Sequence, residues 1–144
     1  MLQHQFNWNH FSAIAGITWW RFYFRLYPDA INADRVVEFL RQLQRHVRGK
    51  LLIVWDRLNA HRSALVRDFV EAQRGRIQLE WLPAYAPELN PVEYLWGHWK
   101  HHELPNFCPR DAWQLSTEAR RALRRMRRRP SLIVAFWKQA DLFE

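Results

Sequence analysis

Cysteine is almost absent from the 144 residues. Cys108 stands alone, which excludes an internal disulfide framework and a multi-cysteine zinc site, and suits a reducing cytoplasm. There is no internal repeat and no low-complexity block. No apolar run approaches the roughly 18 residues that a membrane span needs, so no membrane partner is expected. The N-terminus, "MLQHQFNWNH", lacks the basic-then-apolar layout of a signal peptide. Acidic residues are outnumbered: 22 Lys and Arg face 14 Asp and Glu, a net charge of +8. What is there is apolar enough, at 49% hydrophobic, for one globular domain with a real core over residues 1–144. The charge excess points to a polyanion, most often nucleic acid. It is concentrated in "RRALRRMRRR", residues 120–129, where seven of ten positions are arginine.

Periodicity divides the chain into short alternating elements. "HFSAIAGIT" (10–18) and "RFYFRLYP" (21–28) predict two β-strands in an antiparallel hairpin. "INADRVVEFLRQLQRHV" puts Val36, Val37, Leu40, Leu43 and Val47 on one helical face, with Asn32 or Asp34 as cap and Gly49 beyond the end. "LLIVW" (51–55) is a continuous apolar run of the kind covered on both faces in a parallel sheet. "HRSALVRDFVEAQRG" predicts a helix ended by Gly75, and "IQLEWLP" another strand, together a βαβ unit. Asn90 then caps a helix that Pro91 opens, with Val92, Leu95, Trp96 and Trp99 toward the core. A basic helix from Asp111 to Arg129 carries the stripe Leu115, Ala119, Ala122, Leu123 and Met126. Pro130 stops it before a last short helix in "SLIVAFWKQADLF".

Two carboxylates sit where chemistry is plausible. Asp56 directly follows the apolar strand, and sites in α/β sheets form outside the carboxyl ends of strands. Its oxygens suit a hard cation. By spacing alone, though, it reads more simply as a turn or helix cap. Glu93 stands at the third position of the Asn90-capped helix, which is also the capping-box position. It borders the apolar stripe, and Gly97, one turn on, leaves space over that face. His98, His101 and His102 lie near a helix end, where a solvated cationic role explains them better than zinc. Trp55, Trp96 and Trp99 fall on core faces. The arginine run reads as a DNA-binding surface, because so many like charges on one helix repel unless something anionic compensates.

The motifs "LLIVWDRLNAHRS" and "LEWLPAYAPELNPVEYLWGHWKHHEL" resemble the catalytic core of DDE transposases, in the bacterial insertion-sequence six-thirty group of the mariner superfamily. The matching positions are Asp56, His61, Leu82, Pro83, Tyr85, Pro87, Leu89, Asn90, Pro91, Glu93, Trp96 and Lys100. "WNHFSAIAGI" and "FYFRLYPDAINADRVVEFL" resemble the family's segment upstream. Asp56 and Glu93 are separated by 36 residues, close to the family's interval between its second and third carboxylates. The resemblance implies an α/β, ribonuclease-H-like fold, a mixed sheet of the retroviral-integrase type with flanking helices. It also implies two-metal DNA cleavage and strand transfer, with Asp56 and Glu93 as catalytic ligands of Mg2+ or Mn2+. The proline-rich loop before Glu93 would then fix the start of its helix, because a misplaced ligand costs rate steeply. His61, Lys100, Arg120, Arg121, Arg124, Arg125, Arg127, Arg128 and Arg129 would contact double-stranded DNA, at transposon ends and target.

One departure carries consequences. The family's first catalytic Asp sits on the first strand of the fold, and this chain is expected to lack that strand and the helix-turn-helix before it. Asp29, Asp34 and Glu38 are the acidic residues ahead of Asp56, and turn and cap roles suffice for the two aspartates. The expectation is a C-terminal portion of a transposase, inactive alone and located at the bacterial nucleoid in the cytoplasm. Its partners would be the N-terminal part of the same transposase or a second copy. The alternatives are a non-catalytic DNA-binding remnant and an unrelated ribonuclease-H-like nuclease with a further carboxylate near Asp56 and Glu93.

Overall fold

The computed structural model describes residues 2–8, 11–19, 21–55, 63–82, 87–104 and 112–140. Five strands form one sheet: β1 (Leu2–Trp8), β2 (Phe11–Ile17), β3 (Phe22–Tyr27), β4 (Leu51–Trp55) and β5 (Ile77–Trp81). Their order across the sheet is β3-β2-β1-β4-β5. The expected hairpin is present: β2 and β3 run antiparallel, with Ala13 opposite Leu26 and Ala15 opposite Phe24. The expected βαβ unit is present too. β4 and β5 run parallel from Leu51↔Ile77 to Trp55↔Trp81, joined through α2 (Ala64–Ala72).

The absence expected of the first strand is not what the structure shows. Leu2–Trp8 occupies the central place, antiparallel to β2 and parallel to β4. The physical reason is the one that makes a bare edge unfavourable: β2 and β4 would each leave a row of backbone groups unpaired. The segment also alternates Leu2, His4, Phe6 and Trp8 with polar Gln3, Gln5 and Asn7, a period-2 pattern. Among the described residues, β1 meets β4 at the pair Leu2↔Trp55. No acidic residue lies on β1.

Helices cover the sheet from both sides. α1 (Ala33–His46) starts at Asn32, whose side chain accepts from the Arg35 N–H at 3.0 Å. It buries Val36, Val37, Phe39, Leu40 and Leu43, so Asn32 rather than Asp34 is the cap. Gly49 follows its end with φ +88°, a backbone conformation that glycine adopts without strain. With α2 it packs on Ile14, Tyr27, Ile53, Trp55 and Ile77. On the opposite face lie α3 (Pro91–His98), a π-type turn (Trp99–Glu103), α4 (Ala112–Arg127) and α5 (Pro130–Ala140). These bury Ala13, Ala15, Ile17, Phe22 and Phe24 against Leu95, Trp99, Leu123, Met126 and Phe136. Among the described residues, no helix is long and apolar enough to cross a membrane.

Coverage of β4 differs from the expectation of two buried faces. Ile53 and Trp55 are buried under α1 and α2, while Leu52 on the other face is 62% exposed. An apolar run in sequence records the strand but not which later helices reach it, and α3 packs on β1 and β2 instead.

Candidate active site

The best-defined part of the site is the start of α3. Proline cannot donate a backbone hydrogen bond, so Pro91 fits only where none is needed, in the first helical turn. Asn90 is 1% exposed, and its Oδ1 accepts from the Val92 N–H at 3.0 Å. A buried cap of this kind sets the helix direction and leaves little freedom to its first turn. One turn earlier, Pro87–Leu89 forms a 3-10 turn, and the Tyr94 hydroxyl donates to the Glu88 carbonyl at 3.1 Å. The turn and the helix are thereby tied together. Val92, Leu95, Trp96 and Trp99 are all buried, as the spacing predicts.

Glu93 lies in the first turn of α3 and is half-buried, bordering that apolar face. Its N–H donates to the Asn90 carbonyl at 3.0 Å. A Cβ built on Gly97 meets nothing within 4 Å, so one helical turn beyond Glu93 there is open space. The second expected ligand, Asp56, and His61 lie outside the described residues. What is described is the strand that leads to Asp56. β4 ends at Trp55, whose carbonyl accepts from the Leu82 N–H at 2.8 Å and whose ring lies 5.7 Å from that of Trp81. The carboxyl ends of both parallel strands are thus held side by side, the place where α/β sheets build sites. A carboxylate from a strand end and another from a fixed helix start make an all-oxygen donor set, which fits a hard divalent cation. Among the described residues, no group of three His, Cys, Asp or Glu side chains converges as a metal site.

The histidines differ from a solvated helix end. His101 and His102 are exposed, but the His98 side chain is 18% exposed and its Nε2 lies 3.0 Å from Glu103 Oε1. Glu103 is not among the matching positions of the family motif, yet it organises this corner. Its carboxylate also accepts from Arg125 at 3.1 Å and Arg129 at 3.4 Å, clamping the π-type turn onto the helix pair α4–α5. Burial alone would raise its pKa. The hydrogen bonds from His98 and Arg125, with their charge, outweigh that and hold the carboxyl below its ordinary range. Distance in sequence concealed the clamp, because its arginine partners are 22 and 26 residues away.

The arginine run divides by partner. Arg125 and Arg129 meet Glu103, Arg121 pairs with Glu118, and Arg127 lies over the Phe24 ring at 5.4 Å. Arg124 and Arg128 pair with no carboxylate among the described residues and are exposed. Arg120 has its pKa lowered, first by burial and then by the positive charges of Arg124 and Arg25. Lys100 is exposed in the π-type turn.

Known proteins share this outline. No curated protein matches the chain. A Mos1 transposase paired-end complex with the left transposon end is similar at a TM-score of 0.57 and 22% identity, over 93% of this chain and 45% of that one. The catalytic domain of Mos1 mariner transposase gives 0.57 and 20%, over 100% of this chain and 82% of that one. The same domain with raltegravir and Mg gives 0.55 and 20%, over 100% and 83%. At such identities the likeness is one of fold, and the fold is ribonuclease-H-like. The chain spans less than half the length of the DNA-bound Mos1 chain. The profile described as DDE superfamily endonuclease matches residues 2–116, a stretch that holds both Asp56 and Glu93, and the chain belongs to that family.

Proposed function

We propose that this chain is catalytic-domain sequence of a cut-and-paste transposase of the insertion-sequence six-thirty group, acting on duplex DNA through Asp56 and Glu93. The family match supports the reaction class, and "LPAYAPELNPVE" supports the finer placement. The observation that carries the reading is the start of α3. A buried Asn90 and a Pro91 hold Glu93 half-buried beside open space, on a helix packed against the sheet whose strand β4 leads toward Asp56. A Mg2+ or Mn2+ pair held there would stabilise the attacking and leaving oxygens of a phosphodiester. The protein's own contribution is positional. Glu93 leaves the fixed start of α3, so little reorganisation is needed there when substrate arrives. With no acid on β1, this chain supplies two of the three carboxylates of the family site, and the third comes from elsewhere.

Magnesium titration by calorimetry tests the site. Uptake lost in both Asp56→Asn and Glu93→Gln supports it, and uptake unchanged in both removes the mechanism. Robust magnesium-dependent cleavage of duplex DNA by this chain alone, lost in Asp56→Asn, would refute the claim that a carboxylate is lacking. The second reading, a DNA-binding remnant without chemistry, is favoured by Arg124 and Arg128, exposed and without a carboxylate partner among the described residues. It expects Asp56→Ala to leave duplex binding intact.

A further inference from the structure

Away from the site, at the other end of the sheet, lies an open groove of about 870 Å3. It is lined by the end of α1, the loop to β4 and the turn before β5, and it gathers Arg41, Arg45, Arg48, Lys50 and Arg76. Its single carboxylate, Glu38, is already engaged by Arg25 at 3.0 Å and Arg35 at 3.6 Å. Favourable charge at a helix C-terminus explains Arg45. It does not explain Lys50 and Arg76, which come from two other chain segments. Two of the cations, Arg76 and Arg41, are also held in place. Gln44 donates to Gln73 at 3.0 Å, Gln73 to the Phe69 carbonyl at 3.2 Å, and Arg76 Nε to the Gln73 carbonyl at 3.3 Å. Arg41 lies over the Phe69 ring at 5.3 Å. Arg45, Arg48 and Lys50 are exposed and have no carboxylate partner among the described residues.

We propose that this groove grips the phosphate backbone of duplex DNA as a second surface, separate from the arginines of α4. The proposal rests on the reading of the chain as a DNA-acting domain. Charge complementarity supports the occupant, since five cations converge on an open channel with no exposed aromatic platform among its lining residues. Position separates the two surfaces. α1 packs on the sheet face that holds Ile14 and Ile53, and α4 on the face that holds Ala13 and Ala15. The groove is also offset from the carboxyl end of β4 by about 13 Å, the rise of that strand. Two basic surfaces behind opposite sheet faces engage different DNA segments, which suits a reaction that must hold a donor end and a target together.

The test is duplex binding at graded KCl. An Arg45→Gln/Arg48→Gln/Lys50→Gln variant changes exposed side chains alone. It is expected to flatten the log–log salt slope by about 1.8 to 2.7, the change for two to three phosphates no longer neutralised. Combining it with Arg124→Gln/Arg128→Gln should add the two effects. A control variant, Arg21→Gln/Arg67→Gln/Lys138→Gln, removes the same charge elsewhere and should change the slope far less. Equal flattening in the control, or wild-type affinity and slope in the groove variant, overturns the proposal. So does displacement of the duplex from the groove by millimolar inorganic phosphate, which would mark a small-anion site. Those failures leave the catalytic reading standing, because magnesium uptake through Asp56 and Glu93 is measured without DNA.

Discussion

The two halves of the sheet are built to different specifications. β2 is enclosed: Ala13, Ala15 and Ile17 are buried under α3 to α5, and Ile14 is buried under α1. β4 is enclosed on one side, with Ile53 and Trp55 buried, while Leu52 on the other side is 62% exposed and Gln78 and Glu80 of neighbouring β5 are exposed. The small side chains of β2 let a tryptophan-rich helix approach closely. The lesson is that the enclosed half fixes where Glu93 stands, while the half leading to Asp56 keeps one face uncovered.

Substitutions can break that contrast or sharpen it. Trp99 is fully buried in the enclosed half, and its indole N–H donates to the Ala119 carbonyl at 3.1 Å. Trp99→Ala should cost about 3–5 kcal/mol in urea unfolding. Next comes Glu103→Gln, expected to cost about 1–2 kcal/mol because half-exposed arginines lose a charged acceptor. Its pH dependence has a definite sign. The folded carboxyl titrates below its ordinary 4.5, so its contribution is complete above that value and is lost as pH falls through the folded pKa. Thermal melts should therefore show wild type and Glu103→Gln converging below about pH 4.5 and separated at neutrality. Asn90→Ala should cost about 1 kcal/mol through the lost cap. It should also weaken magnesium uptake more than that loss implies, if the cap aims Glu93. Leu52→Ala, on the open face, should stay within about 0.5 kcal/mol. A large loss there would mean the two halves are equally packed.

Much of this arrangement was legible in the residues. Helical faces followed from apolar spacing, so Leu95, Trp96 and Trp99 and the stripe of α4 were placed correctly. The cap at Asn90 and proline at the first position were local chemistry, readable within three residues. What escaped depended on partners remote in the chain. The alternation in Leu2–Trp8 is weak without knowing that β2 and β4 flank it. The open face of β4 depends on helices arriving 40 residues later. The role of Glu103 depends on Arg125 and Arg129, which reach it only once α4 packs against the π-type turn. As for the site, the start of α3 was legible in local chemistry, while the pairing of Glu93 with Asp56 came from the family resemblance and is the subject of the proposed titration.

The Leu2↔Trp55 pair has a mechanical consequence. It marks the seam between a block of β1 to β3, on which α3 and Glu93 pack, and a block of β4 and β5 leading to Asp56, and α1 packs across both through the core that holds Ile14 and Ile53. An ion binding both carboxylates would act as a rivet across that seam. Amide exchange along β4 should then slow on adding magnesium, and an unchanged rate would show the blocks already locked.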